Sequence, residues 1–273
     1  MNDRLRQIAH QTFVLQPPPQ LRYQRSGRYA FREGIAFVAY DAQDPSNSVA
    51  GVVGPAPEPD RVLALAEEFF VGRPGGWGVL VEAGAAQPIE CLLRERGWRV
   101  AEEEPALVLT PIPAPPSLPP GLEIRRVTTA AELDDYYSAS REGFSMAEGA
   151  SADSPGGEDL TRAFIPSLAC ALDPEIAVFA GYLAGRPVAA AGVCRIGAVA
   201  EVFGVSVAPR ARRRGFGTAI TWAAVAEGAA RGCSVAALRA TPMGDPVYRR
   251  MGFEYACTFR TYAPWSAGET GGQ

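Results

Sequence analysis

One stretch of this 273-residue chain joins a strand, a basic glycine turn and the start of a helix: Val205-Ser-Val-Ala-Pro-Arg-Ala-Arg-Arg-Arg-Gly-Phe-Gly-Thr218. The chemistry that suits this pattern is anion binding. The first N–H groups of a helix have no intrahelical partner, and the helix dipole places partial positive charge there. Gly215 and Gly217 let backbone approach a phosphate closely, and Arg212, Arg213 and Arg214 add charge able to grip it in bidentate fashion. On glycine and arginine alone, a solvated basic turn ahead of an ordinary helix is the other reading. The turn matches neither G-x-x-x-x-G-K-[ST] nor G-x-G-x-x-G. The Arg210–Arg214 run also has little of a nucleic-acid footprint, because the chain carries a net charge of -4 and no aromatics interleave the arginines.

Other chemistries have less to work with. There is one histidine, His10, so a histidine metal cage or a Ser-His-Asp relay would have to be built around it alone; no metal is expected. Cys91, Cys170, Cys194, Cys233 and Cys257 are odd in number and contain no C-x-x-C pair. They read as reduced, mostly buried thiols of a cytoplasmic protein rather than as disulfides, a zinc knuckle or a covalent nucleophile. The stretch Met1–Gln20 is polar and lacks a signal-peptide pattern, and no apolar run approaches the ~18 residues of a membrane helix. Neither nucleic acid nor membrane is an expected partner.

The elements that must position the turn follow from punctuation and period. Six prolines between Pro111 and Pro120 can neither pair in a sheet nor continue a helix. They divide the chain into 1–110, a connector at 111–120, a second domain at 121–265 and a frayed tail at 266–273. The second domain reads as strand 122–127, helix 130–140, a Ser/Gly/acid loop at 145–157, helix 160–172 and strands 176–183 and 188–195 around a turn at 184–187. Strand 199–207 follows, then helix 218–231, strand 234–240, a short helix 246–251 and strand 255–262. The first domain repeats the later part of that order: strands 34–40 and 48–53, helix 59–70, strand 77–82, helix 88–96 and strand 106–109. Arg96-Gly-Trp echoes Met251-Gly-Phe. A diverged duplication is one reading, and two unrelated α/β pieces the other.

Arg212-x-x-Gly215-x-Gly217 after Val205-x-Val207 resembles the acyl-CoA signature of the GNAT superfamily of acetyl-CoA-dependent N-acetyltransferases. Ala240-Thr-Pro-Met-Gly-Asp-Pro-Val-Tyr-Arg-Arg-Met-Gly-Phe253 resembles that family's second signature, a Tyr four residues before Gly-Phe. The resemblance spans about 140 residues and includes the order of strands and helices. It implies two GNAT-like α/β (α+β) domains, each a mixed, mostly antiparallel twisted sheet flanked by helices, the first degenerate. It also implies acetyl-CoA as co-substrate. Val205, Ser206 and Val207 would pair with the pantetheine arm, the amides from Arg213 through Phe216 to Thr218 would hold the pyrophosphate, and the thioester would lie between strands 201–207 and 234–240.

Acetyl transfer to a primary amine then needs a base, an oxyanion donor and a proton for the departing thiolate. With no histidine nearby the base is a carboxylate. Glu201, at the strand start where some family members carry a catalytic Glu, is the candidate, acting through a water; Glu158 and Asp159 are weaker ones. The Val205 N–H is the oxyanion donor, and Tyr248 matches the thiol-protonating position. A strand-end surface acid and a core-packed helix tyrosine are the structural alternatives for these two side chains. The first domain has Gly54-Pro-Ala-Pro-Glu-Pro-Asp60 where the basic turn belongs and Leu93 at the Tyr248 position, so it is not expected to bind CoA. A non-catalytic acyl-CoA sensor and transfer of a longer acyl group are the competing functions. The acceptor is unidentified, either a small molecule or a protein, and a homodimer is open.

Overall fold

Apolar residues at helical or alternating spacing, bounded by Pro and Gly, account for most element boundaries in the computed structural model. It describes residues 2–41, 45–53, 57–73, 76–144 and 160–264. The loop 145–157, Glu158, Asp159, the tail 266–273 and residues 54–56 of the first-half turn lie outside them. In chain order the elements are α1 (Asp3–His10), β1 (Arg28–Arg32), β2 (Ile35–Ala39), β3 (Val49–Val52), α2 (Pro59–Phe69), β4 (Gly78–Glu82), α3 (Gln87–Glu95) and β5 (Trp98–Leu109). There follow β6 (Leu122–Arg126), α4 (Ala130–Phe144), α5 (Leu160–Phe164), α6 (Leu168–Ala171), β7 (Ile176–Leu183), β8 (Arg186–Ile196), β9 (Val199–Val207), α7 (Phe216–Ala230), β10 (Val235–Arg239), α8 (Asp245–Arg250) and β11 (Glu254–Pro264).

Three differences from the sequence reading have local causes. The single helix expected at 160–172 is two short ones, because Pro166 lacks an N–H and disfavours helical backbone at Ile165; Ser167 then caps α6, its Oγ accepting from the Cys170 N–H at 3.3 Å. Strand β8 starts at Arg186 instead of 188, because Ala184 and Gly185 both take positive φ and close a two-residue hairpin turn. Helix α1 was missed in a polar stretch; the Asn2 side chain caps it, and only Leu5, Ala9 and His10 turn inward.

Two compact units result. The first is built from residues up to Pro17, Gln24–Ala106 and the segment from Tyr255 on; the second from Pro18–Tyr23 and Leu107–Glu254. The division falls before the proline-rich segment. It also puts the chain's last strand in the first unit, whereas 121–265 was read as one domain. In the first unit the strand order is β1-β2-β3-β4-β11-β5. Its pairs are antiparallel at β1/β2, β2/β3 and β4/β11, and parallel at β3/β4, which α2 connects. Tyr262 of β11 is fully buried in this unit's core, and its hydroxyl donates to Glu90 at 2.8 Å. In the second unit the order is β10-β9-β8-β7-β6, antiparallel except for β9/β10, which α7 connects. Each unit is a mixed α/β layer structure. Among the described residues no helix is long and apolar enough to cross a membrane.

In the second unit α7 packs on one face of β9 through Ile220, Ala224 and Val225, which meet Ala200 and Val202. Helix α4 packs on the other face, where Tyr136 and Tyr137 share a cluster with Cys194 and Phe203. Gly228 of α7 sits directly over Ala200, and a Cβ added there would collide with the Ala200 Cβ. In an exposed helix interior Gly→Ala stabilises by about 1 kcal/mol. Here overpacking opposes that gain, so Gly228→Ala is expected to destabilise by about 1–3 kcal/mol in urea unfolding. An unchanged or raised midpoint contradicts this packing.

Candidate functional site

Strand β9 carries the expected cofactor-facing residues, and its geometry departs from a regular strand in two places. The β8/β9 register pairs Gly192 with Phe203 and Ala190 with Ser206, so Gly204 and Val205 together oppose the single residue Ala191. This is a β-bulge, and Gly204 supplies its left-handed backbone at φ 60°. The bulge shifts the inward-outward alternation by one residue. Ahead of it Ala200 and Val202 face α7; beyond it Val205 and Val207 do so, while Ser206 turns to Gly143 of α4. The Ser206 hydroxyl is buried there without a hydrogen-bond partner among the described residues.

The second departure is on the other edge. Strands β9 and β10 pair only from Val199/Val235 to Glu201/Ala237. Beyond Glu201 the β9 edge that faces β10 has no ladder partner among the described residues. Its backbone groups are open to an added, strand-like ligand.

After β9 the chain turns through Pro209–Ala211 into α7. Arg213 and Gly215 both take left-handed backbone, at φ 62° and 78°, and Gly215 is the N-cap of α7. The turn amides from Arg213 to Thr218 find no backbone carbonyl among the described residues. They form a run of donors with the positive end of α7 behind them. Arg213 and Arg214 are exposed, and the Arg214 guanidinium lies 4.9 Å over the Phe216 ring. That ring is buried against Leu122, Val188 and Ala219, so Phe216 offers this turn its backbone only.

Arg212 is employed differently from its neighbours. Its Nε donates to the Val207 carbonyl at 3.1 Å and its Nη2 to the Gly143 carbonyl at 2.9 Å. The planar fork thus ties the end of β9 to the last turn of α4, where helix carbonyls lack partners. Its side chain is a brace for the turn.

Glu201 is half-buried and sits opposite Cys194, whose buried thiol donates to Glu201 Oε2 at 3.3 Å. Burial raises the Glu201 carboxyl above its ordinary value; the Cys194 hydrogen bond and the nearby Arg239 charge pull the other way and only partly offset this. The folded state therefore holds this proton more tightly than the unfolded chain does, and the group's cost to stability grows as pH rises from the unfolded value through the folded one. The Cys194 thiol is itself pushed well above its usual range, first by burial and then by Glu201, and stays protonated as a donor.

Tyr248 lies on α8 within the core cluster of the second unit, its ring edge-on to Phe253 with centroids 6.0 Å apart. Burial pushes its phenol well above 10, so the proton stays on oxygen. Gly244 admits the ring, since a Cβ there would come within 2.8 Å of Tyr248 Cε2. The fold thus gathers Glu201, the Val205–Val207 edge and the 212–218 turn along β9, with Tyr248 on the helix after β10. Cys194 was missed. A two-residue turn at Gly197-Ala198 fixes its pairing with Glu201, and that turn was the available signal.

Residues 134–253 match the family model described as the acetyltransferase (GNAT) family. No curated protein matches the chain. Among solved structures, a GCN5-related N-acetyltransferase from Kribbella flavida aligns over 96% of each chain at 20% identity with a TM-score of 0.68. One from Sphaerobacter thermophilus covers 84% of this chain and 76% of its own at 16% identity, TM-score 0.59. A glucosamine N-acetyltransferase region of a fungal multi-domain GH3 β-N-acetylglucosaminidase covers 95% of this chain and 36% of its own at 13% identity, TM-score 0.59. At these identities the structural matches speak to the fold.

The different employment of the arginines is measurable. Arg212→Lys keeps the charge and loses the two-pronged brace, so a drop of about 1–3 kcal/mol in unfolding free energy is expected. Arg213→Ala leaves the unfolding midpoint where it is. Equal effects of the two substitutions contradict the assignment.

Proposed function

We propose, from the GNAT-family acetyltransferase domain at residues 134–253, that the protein moves an acetyl group from acetyl-CoA to a primary amine by direct attack in a ternary complex. The observation that carries this reading is the conjunction on β9: a bulge at Gly204–Val205, an unpaired edge beyond Glu201, and a run of turn amides from Arg213 to Thr218 at the start of α7. An extended thioester carrier with two amides and a diphosphate asks for an open strand edge followed by an anion-binding turn. Val205, Ser206 and Val207 supply the edge. The amides of Arg213, Arg214, Gly215, Phe216, Gly217 and Thr218 supply the turn, with Arg213 and Arg214 adding charge.

In the reaction Glu201 accepts a proton from the acceptor amine through a water, and burial raises its carboxyl above the ordinary value, which makes it a stronger base. The amine nitrogen forms a bond to the carbonyl carbon, and the Val205 N–H donates to the oxyanion that develops. Collapse breaks the carbon–sulfur bond; Tyr248 gives its hydroxyl proton to the departing sulfur and regains one from the nitrogen, which sheds a proton as the amide forms. The sequence at 145–159 includes Glu158 and Asp159, acids that suit a cationic amine. Five unpaired thiols fit a reducing compartment such as the cytoplasm.

Free-thiol release monitored with DTNB across a panel of amines tests turnover. Glu201→Gln is expected to lower kcat about 10²–10⁴-fold and to abolish the rise of kcat/KM with pH, because a base works only when deprotonated. Full CoA affinity with no thiol release for any amine or acyl-CoA would favour the sensing reading; faster release from propionyl- or succinyl-CoA would change the acyl group.

Gly217 provides a separate test of the cofactor site. A Cβ there meets nothing closer than Val207 Cγ2 at 3.6 Å. Gly217→Ala is therefore expected to fold at least as stably as the parent, and Gly217→Trp, with its bulk at the turn, to weaken acetyl-CoA binding at least roughly tenfold by calorimetry. Unchanged affinity in Gly217→Trp rejects the turn as the CoA site.

A further inference from the structure

Away from β9, the first unit holds a buried constellation that acyl transfer does not use. Arg6 and His10 are one turn apart on α1 and face the same strand. Both reach Glu82 at the end of β4: Arg6 Nε donates to its two carboxylate oxygens at 2.8 and 2.7 Å, and His10 Nε2 lies 2.7 Å from Oε2. On the neighbouring strand Phe259 pairs directly with Glu82, so Cys257, two residues earlier, shares that face. A ring nitrogen of His10, a carboxylate oxygen of Glu82 and the Cys257 sulfur all lie within 4.8 Å of one another. His10, Glu82 and Cys257 are each more than nine-tenths buried.

The hydrogen bonding of the imidazole is also incomplete. Nδ1 of the same imidazole is buried and has no hydrogen-bond partner among the described residues. The ring is pinned edge-on to Phe259, with centroids 5.3 Å apart, yet half of its bonding capacity is unspent away from water. Native cores rarely leave a polar atom in that state, because an orphaned group costs about 1–3 kcal/mol.

We propose that His10, Glu82 and Cys257 form a binding site for one divalent cation of borderline softness, with Zn²⁺ the best match. One imidazole nitrogen, one carboxylate oxygen and one thiolate are the three donor types zinc takes at four-coordinate sites, leaving one position for water. On binding, the Cys257 S–H bond breaks, its proton passes to solvent and a metal–sulfur bond forms with no change of oxidation state. The proton between His10 Nε2 and Glu82 passes to solvent as well, so that Nε2 ligates and the ring keeps its remaining proton on Nδ1. Ligands about 2.0 Å from a tetrahedral ion stand roughly 3.3 Å apart, so the 2.7 Å His10–Glu82 contact must open by about half an ångström. Arg6 stays on Glu82 as an outer partner of the ligating carboxylate. Its side chain is 36% exposed and marks the solvent side of the site.

The test uses the full chain in a Cys91→Ser background, which removes the one exposed thiol. Titration with Co²⁺ as the probe is expected to give tetrahedral visible bands and a near-ultraviolet thiolate-to-cobalt band, saturating at one ion per chain. The near-ultraviolet band is lost in Cys257→Ser, and affinity falls at least roughly tenfold in His10→Gln. Zn²⁺ displaces Co²⁺ and raises the melting temperature of the parent relative to EDTA. Absence of the near-ultraviolet band in the folded parent, or its persistence in Cys257→Ser, overturns the proposal. If Cys257→Ser does not fold, the parent titration and His10→Gln decide, and undiminished affinity in His10→Gln overturns it too. Acetyl-transfer activity is not read in any of these measurements, so the result is independent of the function proposed for β9.

Discussion

Strand β9 can present its backbone because its faces are held by contacts with no room for side chains. Gly228 of α7 lies on Ala200, Gly143 of α4 lies within what would be 2.6 Å of Ser206 Cβ, and Gly192 of β8 lets the Phe203 ring cross it. Close-packed interiors transmit small displacements, so these approaches set where the bulge stands. The bulge in turn decides which way Val205, Ser206 and Val207 face. The Arg212 brace fixes the end of the same strand to α4, and the turn amides begin one residue later. Backbone donors are useful for binding or catalysis only when they need no rearrangement, and here both neighbouring helices and a guanidinium hold them.

The starts of α7 and α2 differ in their electrostatics. In the second unit a left-handed glycine opens α7 and two exposed arginines precede it. In the first unit α2 opens with Glu58 at its cap, Pro59 at its first position and Asp60 in its first turn. Proline removes a donor where an anion would need one, and the acids already complement the helix dipole. Tyr248 of α8 and Leu93 of α3 are both core residues, and only the tyrosine carries a hydroxyl. Helix α7 thus opens with unpaired turn amides beside two arginines, and α2 opens with a proline and two acids.

The order of strands and helices was legible because Gly, Pro and apolar spacing act locally, and so was the basic turn. Elements whose existence depends on distant partners were harder to see. Helix α1 has a polar sequence and gains its place from Leu5, Ala9 and His10 burying in the first unit. Strand β5 extends back to Trp98 through a run of glutamates that no apolar alternation announces. The split at Pro166 rests on the missing proline N–H, which outweighs the continuous apolar pattern around it. Around the candidate site, Glu201 and Tyr248 could be named from the family resemblance, but the Cys194 thiol beneath Glu201 depends on hairpin register. The role of Arg212 depends on where α4 ends, which is four residues beyond the boundary read from its sequence.

The placement of β11 follows from side chains that only the first unit can satisfy. Tyr262 is an aromatic ring with a hydroxyl that must find a partner once buried. In the first unit it meets Glu90, which also accepts from Arg94, from Arg260 and from the Gly84 amide. These bonds together hold the Glu90 carboxyl below its ordinary value even though burial, the largest single influence, pushes it up. A buried carboxylate with this many donors is costly to leave half-paired, and removing β11 would strip it of Tyr262 and Arg260 at once. The same strand brings Phe259 opposite Glu82 and Cys257 beside it. The polar interior of the first unit is therefore assembled from both ends of the chain. Its register is enforced by charge and hydrogen bonding as much as by the apolar alternation that first suggested a strand.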